Sequence, residues 1–124
     1  TGACIMFRAD VLQKVGMFDD KYFLYYEDAD LVMRIKKAEY KILFIPKAVL
    51  WHHNAGSSGG SGSVLQDYYI SRNRLLFGLQ YAPLKTKILL IKEGLTILFK
   101  GRQWQKRGVF DFFRMKFGRG SFPV

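Results

Sequence analysis

Apolar residues recur at helical spacing through the second half of the chain and in short runs through the first. Over residues 64–82, Leu65, Tyr68, Leu75, Leu76 and Leu79 mark one face of a helix, and Arg72 falls in the same stripe. A cation in an apolar stripe needs a partner. Pro83 opens a further helix whose stripe is Leu84, Ile88, Ile91, Leu95 and Leu98. Lys85, Lys87, Lys92 and Lys100 make it amphipathic, because a membrane span needs about 20 apolar residues in a row. Residues 104–117 mix Trp104, Phe110, Phe112, Phe113 and Phe117 with Lys106, Arg107, Arg114 and Lys116, a composition suited to a headgroup layer and equally to a core or a partner interface.

The first half is read differently. Residues 3–8 form a short apolar run that predicts a strand, and Asp10 begins a helical turn through Val11, Leu12 and Val15 that Gly16 ends. Residues 17–26 show no clean period and hold Phe18, Tyr22, Phe23, Tyr25 and Tyr26, an aromatic loop. A helix over residues 28–38 follows, with Leu31, Ile35 and Ala38 in register. Residues 41–45 and 48–53 read as two strands separated by Pro46-Lys47, the second ending in His52 and His53. Residues 54–63, rich in Gly and Ser, predict a flexible loop.

With 124 residues, 49% of them hydrophobic, the chain makes one domain at most, with enough apolar surface for a core. The opening Thr1-Gly2-Ala3-Cys4-Ile5-Met6 reads as a loop feeding a strand, without an initiator Met or signal sequence, and the expectation is a piece of something larger. A single cysteine, Cys4, excludes an internal disulfide and fits a reducing, cytoplasmic setting. The net charge of +10 is uneven: residues 1–63 contribute +1 and residues 64–124 contribute +9. The second half therefore seeks an anionic partner. One reading is a non-catalytic basic module that holds anionic lipid or nucleic acid. Against nucleic acid, the cations are spread along helices with long apolar stripes and no RNA-binding signature occurs.

The richest chemistry lies in Phe23-Leu24-Tyr25-Tyr26-Glu27-Asp28-Ala29-Asp30-Leu31, where an aromatic run breaks into three carboxylates as a helix begins. Capping and the helix dipole alone favour acids there. The ordered set Thr1-Gly2-Ala3, Arg8, Val15-Gly16, Phe18-Asp19, residues 23–31, Pro46, His52-His53 and Ser57, followed by Tyr68-Tyr69 and Arg72-Asn73-Arg74, resembles the C-terminal half of family-2 glycosyltransferases of the GT-A fold, most closely the bacterial rhamnosyltransferase-like members. The resemblance covers residues 1–81 and is carried by the order of its parts.

The resemblance implies an α/β fold: the C-terminal acceptor-binding half of a Rossmann-like GT-A enzyme, with a short mixed-sheet remnant over residues 1–63 and basic amphipathic helices over residues 64–124. It implies Asp28 as the base that takes the acceptor hydroxyl's proton in an inverting transfer, since a helix start favours the ionised form a base needs. Glu27, Tyr25 and Tyr26 would bind the acceptor, and Arg72 the donor diphosphate, with an ion pair to Glu27 or Asp30 as the alternative for Arg72. His52 or His53 would hold a divalent metal, Mg or Mn. Asp28-Ala29-Asp30 is not read as a metal pair, because it opens a helix, where residues two apart diverge. The implied partners are a nucleotide-sugar donor, with rhamnose as the candidate sugar, a saccharide or lipid-linked acceptor, and the inner face of the cell membrane. The chain alone is expected to be inactive, and its exposed sheet edges to pair with a second copy.

Overall fold

Helix boundaries follow local capping chemistry in a computed structural model that describes residues 4–51 and 62–123. Helix α1 (Ala9–Val15) stops at Gly16, whose φ of 85° suits a residue without Cβ and whose N–H closes on the Leu12 carbonyl at 2.8 Å. Helix α2 (Glu27–Lys37) carries Glu27, Asp28 and Asp30 in its first turn and Arg34, Lys36 and Lys37 in its last, both favourable to the dipole. Helix α3 (Val64–Tyr81) is capped by the Ser63 side chain, which accepts from the Gln66 N–H at 3.2 Å. Pro83 separates it from α4 (Leu84–Lys100), and Gly101 separates α4 from α5 (Gln103–Phe113).

No strand occurs among the described residues, so the expected α/β architecture with a mixed-sheet remnant is overturned. Residues 4–8 and 41–51 hold no regular element beyond the start of a turn at Pro46. A strand exists by sharing a ladder of N–H and C=O bonds with a neighbour, and these apolar runs meet none. The segment over residues 41–51 instead exposes Ile42, Leu43, Phe44, Ile45, Val49, Leu50 and Trp51. The sheet edges expected to pair copies are likewise absent among the described residues.

Helix α3 is the axis of the fold. Its closest neighbour is α5, where a Cβ on Gly108 would collide with the Tyr68 carbonyl oxygen, so the two backbones touch at a position that admits glycine alone. Leu75, Leu90 and Val109 join α3, α4 and α5 in one core, with Ile97, Leu98 and Phe112 around it. A second, smaller core gathers Val11, Leu31 and Ile35 between α1 and α2, lined by Phe7, Leu12, Val15 and Tyr40. Arg34 locks that pair: it donates to the carbonyls of Val15 and Met17, each at 2.6 Å, and to Asp30 at 2.8 Å.

The C-terminal tail completes the packing. Phe122 lies against Tyr68, Tyr69 and Trp104 with ring centroids 5.0–5.6 Å apart. The backbone N–H of Ser121 donates to the Tyr68 hydroxyl at 2.8 Å and to Asp111 at 2.9 Å. Of the aromatics over residues 104–117, Trp104, Phe112 and Phe117 thus pack internally, and Phe110 and Phe113 stay exposed. No helix among the described residues is long and apolar enough to cross a membrane.

Candidate active site

The aromatic loop before α2 is held in a conformation that side chains ordinarily avoid. Phe23, Tyr25 and Tyr26 all take positive φ, at 61°, 66° and 72°. Three such residues in four positions persist because α3 over-determines them. Asn73, wholly buried, donates through Nδ2 to the carbonyls of Tyr22, Leu24 and Tyr25, each at 2.8 Å. Arg72, also wholly buried, donates to the carbonyls of Tyr22 at 2.9 Å and Lys21 at 3.2 Å, and to Asn73 Oδ1 at 2.9 Å. Its guanidinium lies 5.4 Å and 5.1 Å from the ring centroids of Tyr68 and Tyr69, whose π faces attract a cation.

Within the chain, the partners of Arg72 are a set of carbonyls and aromatic faces, and none of its hydrogen bonds among the described residues goes to Glu27 or Asp30. Burial draws its pKa down, and one nitrogen, Nη1, is buried with no hydrogen-bond partner among the described residues. Arg74, on another face of α3, pairs with Glu93 of α4 at 2.8 Å.

The loop delivers the carboxylates at the start of α2. Tyr26, left-handed, is the residue before the first turn and makes no side-chain cap. Asp28 lies in that turn, partly buried, and its Oδ1 accepts from the Ala29 N–H at 2.7 Å. The Glu27 carboxyl is partly buried. Burial, with a smaller push from Asp28, raises its pKa, and its Oε2 is buried without a partner among the described residues. Two adjacent carboxylates of unlike environment are a setting for acid–base chemistry. Beside them, Phe23 stacks on Tyr69 at 5.3 Å and Tyr26 tilts against Phe77 at 5.5 Å, while Tyr25 carries no ring contact among the described residues.

Asp30 has a different task. It is 1% exposed and receives hydrogen bonds from Arg34 and, at 2.7 Å, from the Tyr81 hydroxyl, with the Tyr22 hydroxyl at 3.5 Å. Burial and this carboxylate raise the pKa of both tyrosines well above the phenolic range. Asp30 thereby ties α2 to the end of α3. No group of three His, Cys, Asp or Glu side chains arranged for a metal occurs among the described residues. His52 and His53, named for that ion, lie outside the described residues, as does Ser57.

Asn73, next to Arg72 in the sequence, is the chief clasp of the loop. Tyr68, read from the sequence as a member of the apolar stripe, donates through its hydroxyl to Asp111 at 2.6 Å, and its pKa is pushed up to about 12, by burial first and that carboxylate second. A buried cation in an apolar stripe was the available signal for both, since it foretells a polar network around it. A groove of about 670 Å³ lies elsewhere, lined by Trp104, Lys106, Arg107 and Phe110 among others, and includes neither Glu27 nor Asp28.

The chain belongs to the glycosyl transferase family group 2, whose model matches residues 1–117. It is similar to N-acetylglucosaminyl-diphospho-decaprenol L-rhamnosyltransferase of Mycobacterium tuberculosis, at 41% identity over 59 residues in each of strains CDC 1551 / Oshkosh and ATCC 25618 / H37Rv. That match covers 48% of this chain and 19% of the relative's length. No solved structure matches the chain.

Proposed function

We propose that this chain forms the acceptor side of an inverting glycosyltransferase, with Asp28 as the base. The observation that carries the reading is the Glu27-Asp28 pair, presented at the first turn of α2 by a strained loop that Arg72 and Asn73 clamp from behind. In the reaction, the acceptor oxygen attacks the sugar's anomeric carbon while the bond from that carbon to the diphosphate breaks. The bonding pair leaves with the diphosphate, and the hydroxyl proton passes to Asp28. Glu27 would bind a sugar hydroxyl of the acceptor. Tyr25 and Tyr26 would offer ring faces to the saccharide. Arg72 holds the loop in this reading, a role apart from the diphosphate contact its sequence position suggested.

The relative's name supports rhamnose as the sugar and a diphosphate-linked lipid bearing N-acetylglucosamine as the acceptor. The divalent ion, Mg or Mn, rests on His52 and His53 alone, and metal titration of a variant lacking both tests it. For the transfer itself, the full-length protein is incubated with nucleoside-diphosphate rhamnose and the lipid-linked N-acetylglucosamine. A disaccharide of inverted anomeric configuration supports the reading. Retention of configuration, or hydrolysis without transfer, contradicts it.

A further inference from the structure

The C-terminal tail reaches the loop that carries the candidate site. Past α5, the Gly118 N–H donates to the carbonyl of Lys21 at 2.9 Å, the oxygen to which Arg72 Nη2 also donates at 3.2 Å. One residue on, the carbonyl of Arg119 accepts from the Tyr69 hydroxyl at 3.1 Å, and the ring of Tyr69 is the one stacked on Phe23. Gly120, at φ 66°, lies over the guanidinium: a Cβ there would stand 2.7 Å from Arg72 Nη1 and collide with the Tyr68 hydroxyl. Both side chains are wholly buried, so neither has room to turn away. Residues 118–122 lie beyond the segment that the family model matches, so their part in the site is read from this chain alone.

The positive φ of Phe23, Tyr25 and Tyr26 makes the loop costly to hold in this shape. Asn73 grips it at Tyr22, Leu24 and Tyr25. At Lys21, where the loop begins, the donors to the carbonyl among the described residues are Arg72 and Gly118. We propose that residues 118–122 are a positioning strap for this loop. Seated, the strap closes Arg72 and Tyr69 against the loop from the far side and so fixes the backbone that presents Glu27 and Asp28. Phe122 holds it down, through its ring contacts with Tyr68, Tyr69 and Trp104. The effect on transfer rests on the acceptor-site reading above; the effect on the loop rests on these contacts and needs no turnover to be seen.

Amide hydrogen exchange and steady-state kinetics of the full-length protein test it. Gly120→Ala unseats the strap, and Tyr69→Phe cuts the tie to Arg119 while keeping the ring on Phe23. In Gly120→Ala, exchange of the Tyr22 and Leu24 amides, which bond to the Asp19 and Tyr22 carbonyls, should quicken about tenfold or more, with the α4 amides at the parent's rates. Transfer should fall about 10–100-fold in kcat with the donor KM held. Tyr69→Phe should move both readouts the same way by less, and it decides the question where Gly120→Ala does not fold. Unchanged exchange in the loop overturns the strap, as does an equal quickening in α4, the mark of plain lost stability. Transfer at the parent's kcat beside a loosened loop overturns it too. Absence of transfer in the parent itself would strike the acceptor-site reading instead, and exchange would then decide the strap alone.

Discussion

The side-chain amide of Asn73 lies 2.8 Å from the carbonyl oxygen of Tyr25, a residue in the left-handed region two positions before α2. The same nitrogen reaches Leu24 and Tyr22, so one buried side chain of α3 fixes the backbone that delivers Glu27 and Asp28. Replacing Asn73 by Ala leaves the Leu24 and Tyr25 carbonyls without this donor and should cost about 2 kcal/mol in denaturant unfolding. Asn73→Asp, which turns an acceptor toward three carbonyls, should cost more. Equal stability of all three proteins would show that the loop does not depend on this clasp.

Arg72→Lys keeps the charge and loses the planar fork. An ammonium cannot serve two carbonyls and Asn73 Oδ1 while lying over the rings of Tyr68 and Tyr69, so the urea midpoint should fall by the equivalent of about 2–3 kcal/mol. In the full-length protein the Michaelis constant for the donor should hold. An unchanged midpoint with a raised donor constant would return Arg72 to the diphosphate.

Glu27 predicts a pH dependence of stability. Its folded-state pKa is raised above the ordinary 4.5 by burial, so the fold favours the neutral carboxyl. Stability is then full below pH 4.5 and falls as pH rises through the raised value. Glu27→Gln removes that loss. Its Tm should exceed the parent's at pH 7, and the difference should vanish as the pH is taken below 4.5. A lower Tm at pH 7 would mean that Glu27 has a stabilising partner.

Gly108→Ala tests the contact between α3 and α5. Its Cβ would meet the Tyr68 carbonyl, which belongs to the helix backbone and cannot turn aside. The helices must separate, at about 1–3 kcal/mol, and thermal unfolding reads the loss. Gly62, where a Cβ would meet nothing within 4 Å, lies at φ 82° and is no control; Ala82→Gly at the end of α3 serves better.

Four of the five helices were legible from apolar spacing with Gly16 and Pro83 as punctuation, while residues 104–117 showed only a mixture of aromatics and cations. The strands were not, because an apolar run states that a segment wants burial and leaves its partner unnamed. Val49, Leu50 and Trp51 look like a strand in sequence and lie exposed in the fold. Helix α4 shows the same gap in another form: Leu84, Ile88 and Leu95 have helical spacing, but which apolar arc faces α3 depends on Gly78 and Gly94, whose lack of a side chain lets Leu90 and Leu75 in. At the site, Glu27 and Asp28 could be named from their place after an aromatic run. The clamp could not, since Asn73 acts on backbone carbonyls some 50 residues away, and a carbonyl has no letter in a sequence.

The most direct test compares Asp28→Asn with Glu27→Gln in the full-length protein, each assayed for sugar transfer and for donor binding. Loss of the base should lower transfer in Asp28→Asn by about 10²–10⁴-fold with donor affinity intact, and Glu27→Gln should lose less. Transfer by Asp28→Asn near the parent's rate would contradict the account.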